Sequence, residues 1–174
     1  MQPDRLVLLD PECPLLLLTA TARGLIENNF IRAAQRAHTE LMTAVGDAGL
    51  LHLVRSRIGL FPDPPQAAND AACRYVAGVM FGHDMATGQG ACLRPDLALS
   101  GSLAWQPIAP GRHAVFTHIG PYDKLHLTWR AIYHQWLPAL GAVLRPTPPM
   151  ELNLNTPDEV APQHLHTEIW IPLA

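Results

Sequence analysis

Apolar residues in the first half of the chain change from strand-like to helix-like spacing. The stretch from Leu15 to Thr21 is apolar and β-compatible, and Gly24 ends it. Asn28 or Asn29 can cap a following helix by accepting bonds from free backbone N–H groups. That helix is predicted from a stripe at helical spacing: Phe30, Ala34, Ala37, Leu41 and Val45. Gly46 and Gly49 can end it.

The second half repeats this order. His113 to His118 is typical of a strand, which Gly120 and Pro121 end. A second helical stripe follows, made of Leu125, Trp129, Ile132, Trp136 and Leu140. Gly141 is suited to end this helix.

Each half also closes with a strand, a turn rich in Pro and Asp, and another strand. Residues 58–64 resemble residues 152–158, and at the same offset of about 94 positions residues 73–79 fall on residues 167–173. The pattern predicts an α+β fold of two pseudo-symmetric strand–helix–strand–strand modules with antiparallel sheets. A helix covers only one face of each sheet, so we expect a ligand groove between the modules.

The expected boundaries follow from these elements within one domain of residues 1–174. The first module covers about residues 14–82, and a linker rich in Gly and polar residues covers about 83–102. The second module covers about 103–174 and includes a short added strand at Leu103 to Ile108.

Alternation along the final strands predicts which side chains face the groove. If the apolar faces pack on the helices, Glu168, Trp170 and Asn153 lie on the other face. By the repeat, the first half contributes its counterparts Gly59, Phe61, Arg74 and Val76. An acid beside an indole suits cations and flat rings, because the indole face attracts positive charge. The alternative is that Glu168 is an exposed strand residue and Trp170 only covers the sheet.

Composition and charge limit the classes of function that the chain can have. The chain is 48% hydrophobic and 16% charged, with a net charge of −3 and one lysine, Lys124. It can bury a core, and it lacks the basic clusters of proteins that bind nucleic acids directly. No apolar run reaches the length of a membrane helix, and three widely spaced cysteines indicate a reducing, cytoplasmic setting.

Two segments carry a family resemblance. Residues 111–122 (GRHAVFTHIGPY) and residues 167–173 (TEIWIPL) resemble the signature of the GyrI-like effector-binding domains, and Trp129, Tyr133 and Trp136 fit the family's helix. The resemblance implies a pocket between two modules that takes amphipathic, often cationic compounds, with Glu168 at the position of the family's pocket glutamate. With no helix-turn-helix before it, the chain resembles the stand-alone branch.

The resemblance leaves three functions open. The first is a stand-alone module that senses or sequesters hydrophobic, ring-containing compounds. The second is a hydrolase of cyclopropane-bearing natural products, with Glu168 as catalytic general base. The third is a protein that inhibits DNA gyrase, so that gyrase or a regulator would be a protein partner. Arg74 does not fit a site that prefers cations. If it paired with Glu168, it would cancel the negative charge and favour neutral or acidic ligands.

Two further aromatic residues are predicted at the site. Trp105 precedes the main strand of the second half and is expected at the rim of the groove, and Tyr122 follows Gly120 and Pro121 at a helix entry, where it can reach a ligand. The alternation of His164, His166 and Glu168 could suit zinc, but the resemblance is not to a metal family. No metal and no cofactor are therefore expected.

Overall fold

The computed structural model describes residues Met1–Ala174 and divides into two compact units. Unit A is Pro14–Ile108, and unit B joins Met1–Cys13 to Ala109–Ala174. The strands in chain order are β1 (Arg5–Leu9), β2 (Leu15–Leu25), β3 (Val54–Leu60), β4 (Asp70–Phe81), β5 (Ala104–Ile108), β6 (Gly111–Ile119), β7 (Met150–Asn153) and β8 (His166–Pro172). The α-helices are α1 (Ile31–Asp47), α2 (Leu125–Ala131) and α3 (Leu137–Leu140).

Unit A is an antiparallel sheet in the order β3-β4-β2-β5 with α1 on one face. The helix forms because its apolar side chains recur every three or four residues, so one stripe can be buried. Its fully buried side chains are Ala33, Ala37, Leu41 and Val45. They pack on the strand residues Leu18, Ala20, Ala77, Val79 and Phe81.

Unit B is an antiparallel sheet in the order β1-β6-β8-β7. The helical segment from Leu125 to Leu140 packs on one face of it. The buried contacts are Leu125, Ile132, Trp136 and Leu137 against Ala114, Phe116, Ile169 and Ile171. Phe116 and Trp136 meet edge to face, with ring centroids 4.9 Å apart.

The predicted α+β class and the twofold strand–helix–strand–strand order are both confirmed. β2-α1-β3-β4 in unit A corresponds to β6-α2-β7-β8 in unit B, and the core strands of each sheet follow the same order. Each sheet gains one extra strand beside the first strand of its module. That strand is β5 in unit A and β1 in unit B.

The positions of the two extra strands do not follow the predicted module boundaries. Leu103 to Ile108 was expected to open the second module, but β5 pairs with β2 in unit A. The N-terminal β1 was expected in neither module, and it pairs with β6 in unit B. Both strands can pair in this way because an edge strand needs only a neighbour with free backbone N–H and C=O groups, whatever its position in the chain.

The second helix is interrupted where the first is continuous. Ile132–Trp136 forms a π-helical turn between α2 and α3. Pro138 follows it and lacks the N–H group that an α-helix would direct to the carbonyl of His134. The helix ends at Gly141, whose φ of 56° is the left-handed conformation that favours glycine.

Replacement of glycine by alanine should have opposite effects on stability at two positions of unit A. A Cβ at Gly59 would lie 2.4 Å from the Tyr75 hydroxyl oxygen, and Tyr75 is buried among Phe30 and Phe61. Gly59→Ala should therefore destabilise the protein by about 1–3 kcal/mol through overpacking. Gly46→Ala, inside α1 and with 3.8 Å to its nearest neighbour, should stabilise it by up to about 1 kcal/mol. Urea denaturation measures both, and equal effects would contradict the packing argument.

Candidate functional site

Glu168 on β8 is buried in an ion pair with Arg5 on β1. The guanidinium donates two parallel hydrogen bonds, from Nη1 to Oε1 at 2.6 Å and from Nη2 to Oε2 at 2.8 Å. The Glu168 side chain is 5% exposed and the Arg5 side chain is 35% exposed. Ionised carboxylates are costly to bury unless they are paired, so Arg5 is the group that lets Glu168 stay charged inside the protein.

Trp170 completes this cluster. Its indole Nε1–H donates to Oε2 of Glu168 at 3.0 Å, and its ring is fully buried. The guanidinium carbon of Arg5 lies 5.6 Å from the centre of the Trp170 ring, which is within cation–π range. We call Arg5, Glu168 and Trp170 the acid–indole cluster.

Strand register brings the three residues together. Glu168 and Trp170 are two positions apart on β8, so both side chains point to one face of the sheet. Trp170 lies opposite Val115 of β6, and Val115 lies opposite Arg5 of β1. Because directly opposed residues of antiparallel strands share a face, Arg5 is carried to the same face as its two partners.

Arg5 carries the positive charge of the acid–indole cluster, and the nearby His113 is neutral. The hydrogen bonds and the charge of Glu168 raise the pKa of Arg5 above its usual value, despite an opposing effect of burial. His113 also lies beside Trp170, with ring centroids 5.8 Å apart. Burial, with a smaller effect of Arg145, lowers the pKa of His113 to about 4. The imidazole is therefore neutral at pH 7.

The predicted neighbour Asn153 lies on the opposite face. β7 pairs with β8 so that Met150 faces Trp170 and Leu152 faces Glu168, while Asn153 faces Thr167. The expectation that Leu152 packs on the helix and Asn153 joins Glu168 is therefore wrong. It assumed that apolar residues of β7 always point to the helix, but the face beside Glu168 is apolar as well.

Register also corrects the placement of Phe61 and its neighbour Gly59 in unit A. Leu60 lies opposite Val76, so Phe61 points to the other face. There its ring packs at 5.7 Å from Phe30 and 5.5 Å from Tyr75, beside α1. Phe61 is thus part of the helix-side core, and Val76 is buried on the opposite face.

Arg74 has an acidic partner of its own. It forms an ion pair with Asp63, with Nη2 2.7 Å from Oδ1 and Nε 2.8 Å from Oδ2. Its hydrogen bonds lower the pKa of Asp63 to about 2. Arg74 and Glu168, whose pairing the sequence left open, each have an ion-pair partner within their own unit.

The two predicted rim aromatics sit against helix-side cores. Trp105 lies on β5, edge-on to Phe81 at 6.1 Å and with the Arg94 guanidinium 5.4 Å from its ring centre. Tyr122 opens a short 3-10 turn and packs against the core under α2. His164, from the zinc alternative, lies in a 3-10 turn before β8.

Sequence reasoning missed Arg5. The signal was present, because Arg5-Leu6-Val7-Leu8-Leu9 is short, apolar and β-compatible with a charge at its start. The sequence could not show which strand pairs with this segment, because Arg5 and Glu168 are separated by 163 positions.

A second acid of unit B lies on the helix side. Glu151 of β7 accepts a hydrogen bond from Nε1 of Trp129 at 2.5 Å, and Trp129 stacks on Tyr133 with ring centroids 6.0 Å apart. Burial raises the pKa of Glu151 to about 7, and the Trp129 hydrogen bond opposes this shift. Glu151 therefore exchanges a proton near neutral pH on the face opposite Glu168.

The twofold strand–helix–strand–strand fold is that of a small-molecule-binding domain. The model of the GyrI-like small molecule binding domain matches residues 20–174, and the chain belongs to this family. A curated relative is the probable transcriptional regulator YgiV of Escherichia coli (strain K12), 40% identical over 65 residues. That stretch spans 37% of this chain and 40% of YgiV.

Solved structures share the fold at low identity. The C-terminal domain of EcmrR is 16% identical with a TM-score of 0.64, covering 98% of this chain and 94% of that one. A hydrolase from Listeria innocua is 13% identical with a TM-score of 0.54, covering 98% and 91%. SAV2435 bound to tetraphenylphosphonium is 14% identical with a TM-score of 0.50, covering 98% and 93%. These likenesses show the fold alone.

Stability should depend on the protonation of Glu151. The unfolded carboxyl titrates near 4.5 and the folded one near 7, so the folded state binds more protons between these values. The contribution of Glu151 to the free energy of unfolding should therefore fall as pH rises from about 4.5 to 7, while the lowered pKa values of His113 and His38 act in the opposite direction. The difference between wild type and a variant without the carboxyl isolates the contribution of Glu151. Urea denaturation of wild type and Glu151→Gln across this range tests the assignment.

The variant should lose this part of the slope, because glutamine does not titrate. Glu12→Gln, at an exposed position in unit B, is the matched control and should keep the wild-type profile. Parallel profiles for wild type and Glu151→Gln would contradict the assignment.

Proposed function

We propose that this GyrI-like domain binds hydrophobic, ring-containing compounds that carry a positive charge, with Glu168 as the anchor for that charge. One observation carries the proposal: a carboxylate that is 5% exposed holds a cation beside a buried indole ring. A cation desolvated by a binding site needs an opposite charge, and an aromatic face adds about 0.5–2 kcal/mol.

The apolar surroundings suit the ring portion of such a ligand. Met150, Leu152 and Val115 lie on the same sheet face as the acid–indole cluster. Binding sites for small molecules are mostly apolar with a few placed polar groups, and this face has that composition. The binding of tetraphenylphosphonium by SAV2435, a distant neighbour in fold, agrees with a cationic aromatic ligand.

A role in sensing or sequestering fits this chemistry. YgiV is described as a probable transcriptional regulator, and a domain that binds a drug-like cation can report its presence to a regulator. A cytoplasmic location is part of the proposal and is supported by the three unpaired cysteines. The helices are all too short or too polar to span a lipid bilayer.

Hydrolysis is less well supported than binding. A general base must reach the proton of its water or substrate, but Oε1 of Glu168 is bonded to Arg5 and Oε2 to both Arg5 and Trp170. Glu168 is thus arranged as a partner for positive charge. Inhibition of gyrase would depend on a protein surface, and no feature of the acid–indole cluster favours it.

Binding of tetraphenylphosphonium should depend on the Glu168 charge. Glu168→Gln keeps the size of the side chain and should weaken binding by at least about tenfold, because loss of a buried charge partner typically costs about 2–5 kcal/mol. Titration followed by tryptophan fluorescence gives the dissociation constants, and circular dichroism confirms that the variant is folded.

Glu12→Gln is the control for a general loss of negative charge. It removes an exposed acid from the same unit and should leave the dissociation constant unchanged. Wild-type affinity in Glu168→Gln would exclude the anchor role, and equal weakening in both variants would mean that tetraphenylphosphonium responds only to net charge.

A further inference from the structure

We propose that Arg5 is an internal occupant of the cation subsite, so that a cationic ligand has to displace its guanidinium before it can pair with Glu168. This inference rests on the proposed function and adds a selectivity residue to it. The subsite that Glu168 and Trp170 form is filled by the protein's own positive charge.

The contacts of Arg5 are those expected of a bound cation. Its guanidinium engages both carboxylate oxygens of Glu168, at 2.6 and 2.8 Å, and lies 5.6 Å from the centre of the Trp170 ring. A planar, delocalised cation matches a carboxylate in this bidentate way and also interacts with an aromatic face. Arg5 therefore competes with a ligand for the same two groups.

Arg5 is placed so that it can leave. Its side chain is 35% exposed, whereas the acid it covers is 5% exposed, so a path to solvent exists for the guanidinium. β1 is an edge strand of five residues, so no further strand covers Arg5 on that side. The guanidinium can turn outward by side-chain rotation.

The strand itself is held independently of Arg5. Five residue pairs join β1 to β6, and the Asp4 carboxylate accepts a hydrogen bond from the backbone N–H of Thr117 at 2.6 Å. The movable element is thus one side chain on an anchored strand. This makes Arg5 a selectivity residue whose removal changes binding without removing β1.

The net charge of the subsite predicts which ligands depend on Arg5 for their affinity. With Arg5 in place the subsite is neutral overall and a second cation meets a repelling charge. Without Arg5, Glu168 lacks the partner that keeps it charged, and a bound cation takes the place of that partner. A neutral aromatic molecule has no charge to exchange, so its binding should depend little on Arg5.

Two probes of similar shape separate these effects: the cation tetraphenylphosphonium and the neutral triphenylphosphine oxide. Arg5→Met keeps an unbranched apolar stem but removes the charge. It should bind tetraphenylphosphonium about 10- to 100-fold more tightly than wild type, corresponding to the loss of competing charge-assisted hydrogen bonds. Triphenylphosphine oxide should change by less than about threefold.

Arg130→Met is the matched control, since Arg130 is exposed on α2 in the same unit. It should leave both affinities unchanged. Unchanged or weaker binding of tetraphenylphosphonium by folded Arg5→Met overturns the inference, and an equal gain for both probes overturns it too, because the effect would then be steric.

Methylguanidinium provides a measurement that does not depend on the ligand class. At about 10 mM it should raise the melting temperature of Arg5→Met, or restore its folding, by filling the vacated subsite. It should not stabilise wild type or the double variant Arg5→Met, Glu168→Gln. Absence of this selective rescue overturns the inference.

The two proposals fail in different ways. If no variant binds tetraphenylphosphonium but methylguanidinium rescues Arg5→Met, the proposed function is wrong for this cation and the occupied subsite stands. If wild type and Arg5→Met bind tetraphenylphosphonium equally, the proposed function stands and the role of Arg5 is wrong.

Discussion

A carboxylate inside an apolar sheet face is the constraint on which unit B depends. Glu168 can remain charged there because the Arg5 guanidinium and the Trp170 N–H supply three hydrogen bonds. Loss of a partner from a buried pair is far more damaging than loss of an exposed one. The side chain that β1 presents beside β6 is thus matched to the charge of a residue at the far end of the chain.

The duplicated architecture supplies the place for this pairing. In both units the first strand of the module accepts one extra strand, and each extra strand brings one member of a cation–π pair. β1 carries Arg5 to Trp170, and β5 carries Trp105 to Arg94. The Arg5–Trp170 pair differs from the Arg94–Trp105 pair because it also contacts the buried acid Glu168. The two units therefore share one framework but differ in the chemistry that it carries.

The helix-side faces show a different use of polar groups. Glu151 accepts a bond from Trp129 and titrates near neutral pH, while His38 of α1 lies 3.0 Å from the Tyr75 hydroxyl. Burial lowers the pKa of His38. Each of these hydrogen bonds joins one polar pair on a helix-side face, whereas both oxygens of Glu168 are bonded on the other face of unit B. Glu168, with three hydrogen bonds, is the group that the proposed ligand would meet.

The sequence alone determined the class of fold, the twofold order of elements, and the pairing of Glu168 with Trp170 on one face, because period-two and helical spacings are local properties. It did not determine that Asn153 and Phe61 point to the helix side, because a strand's face depends on its register with a neighbour. Nor did it show that Arg5 neutralises Glu168 and that Arg74 instead pairs with Asp63. Those partners are chosen by strand order and by which opposite charge lies within reach, and both are properties of the folded chain.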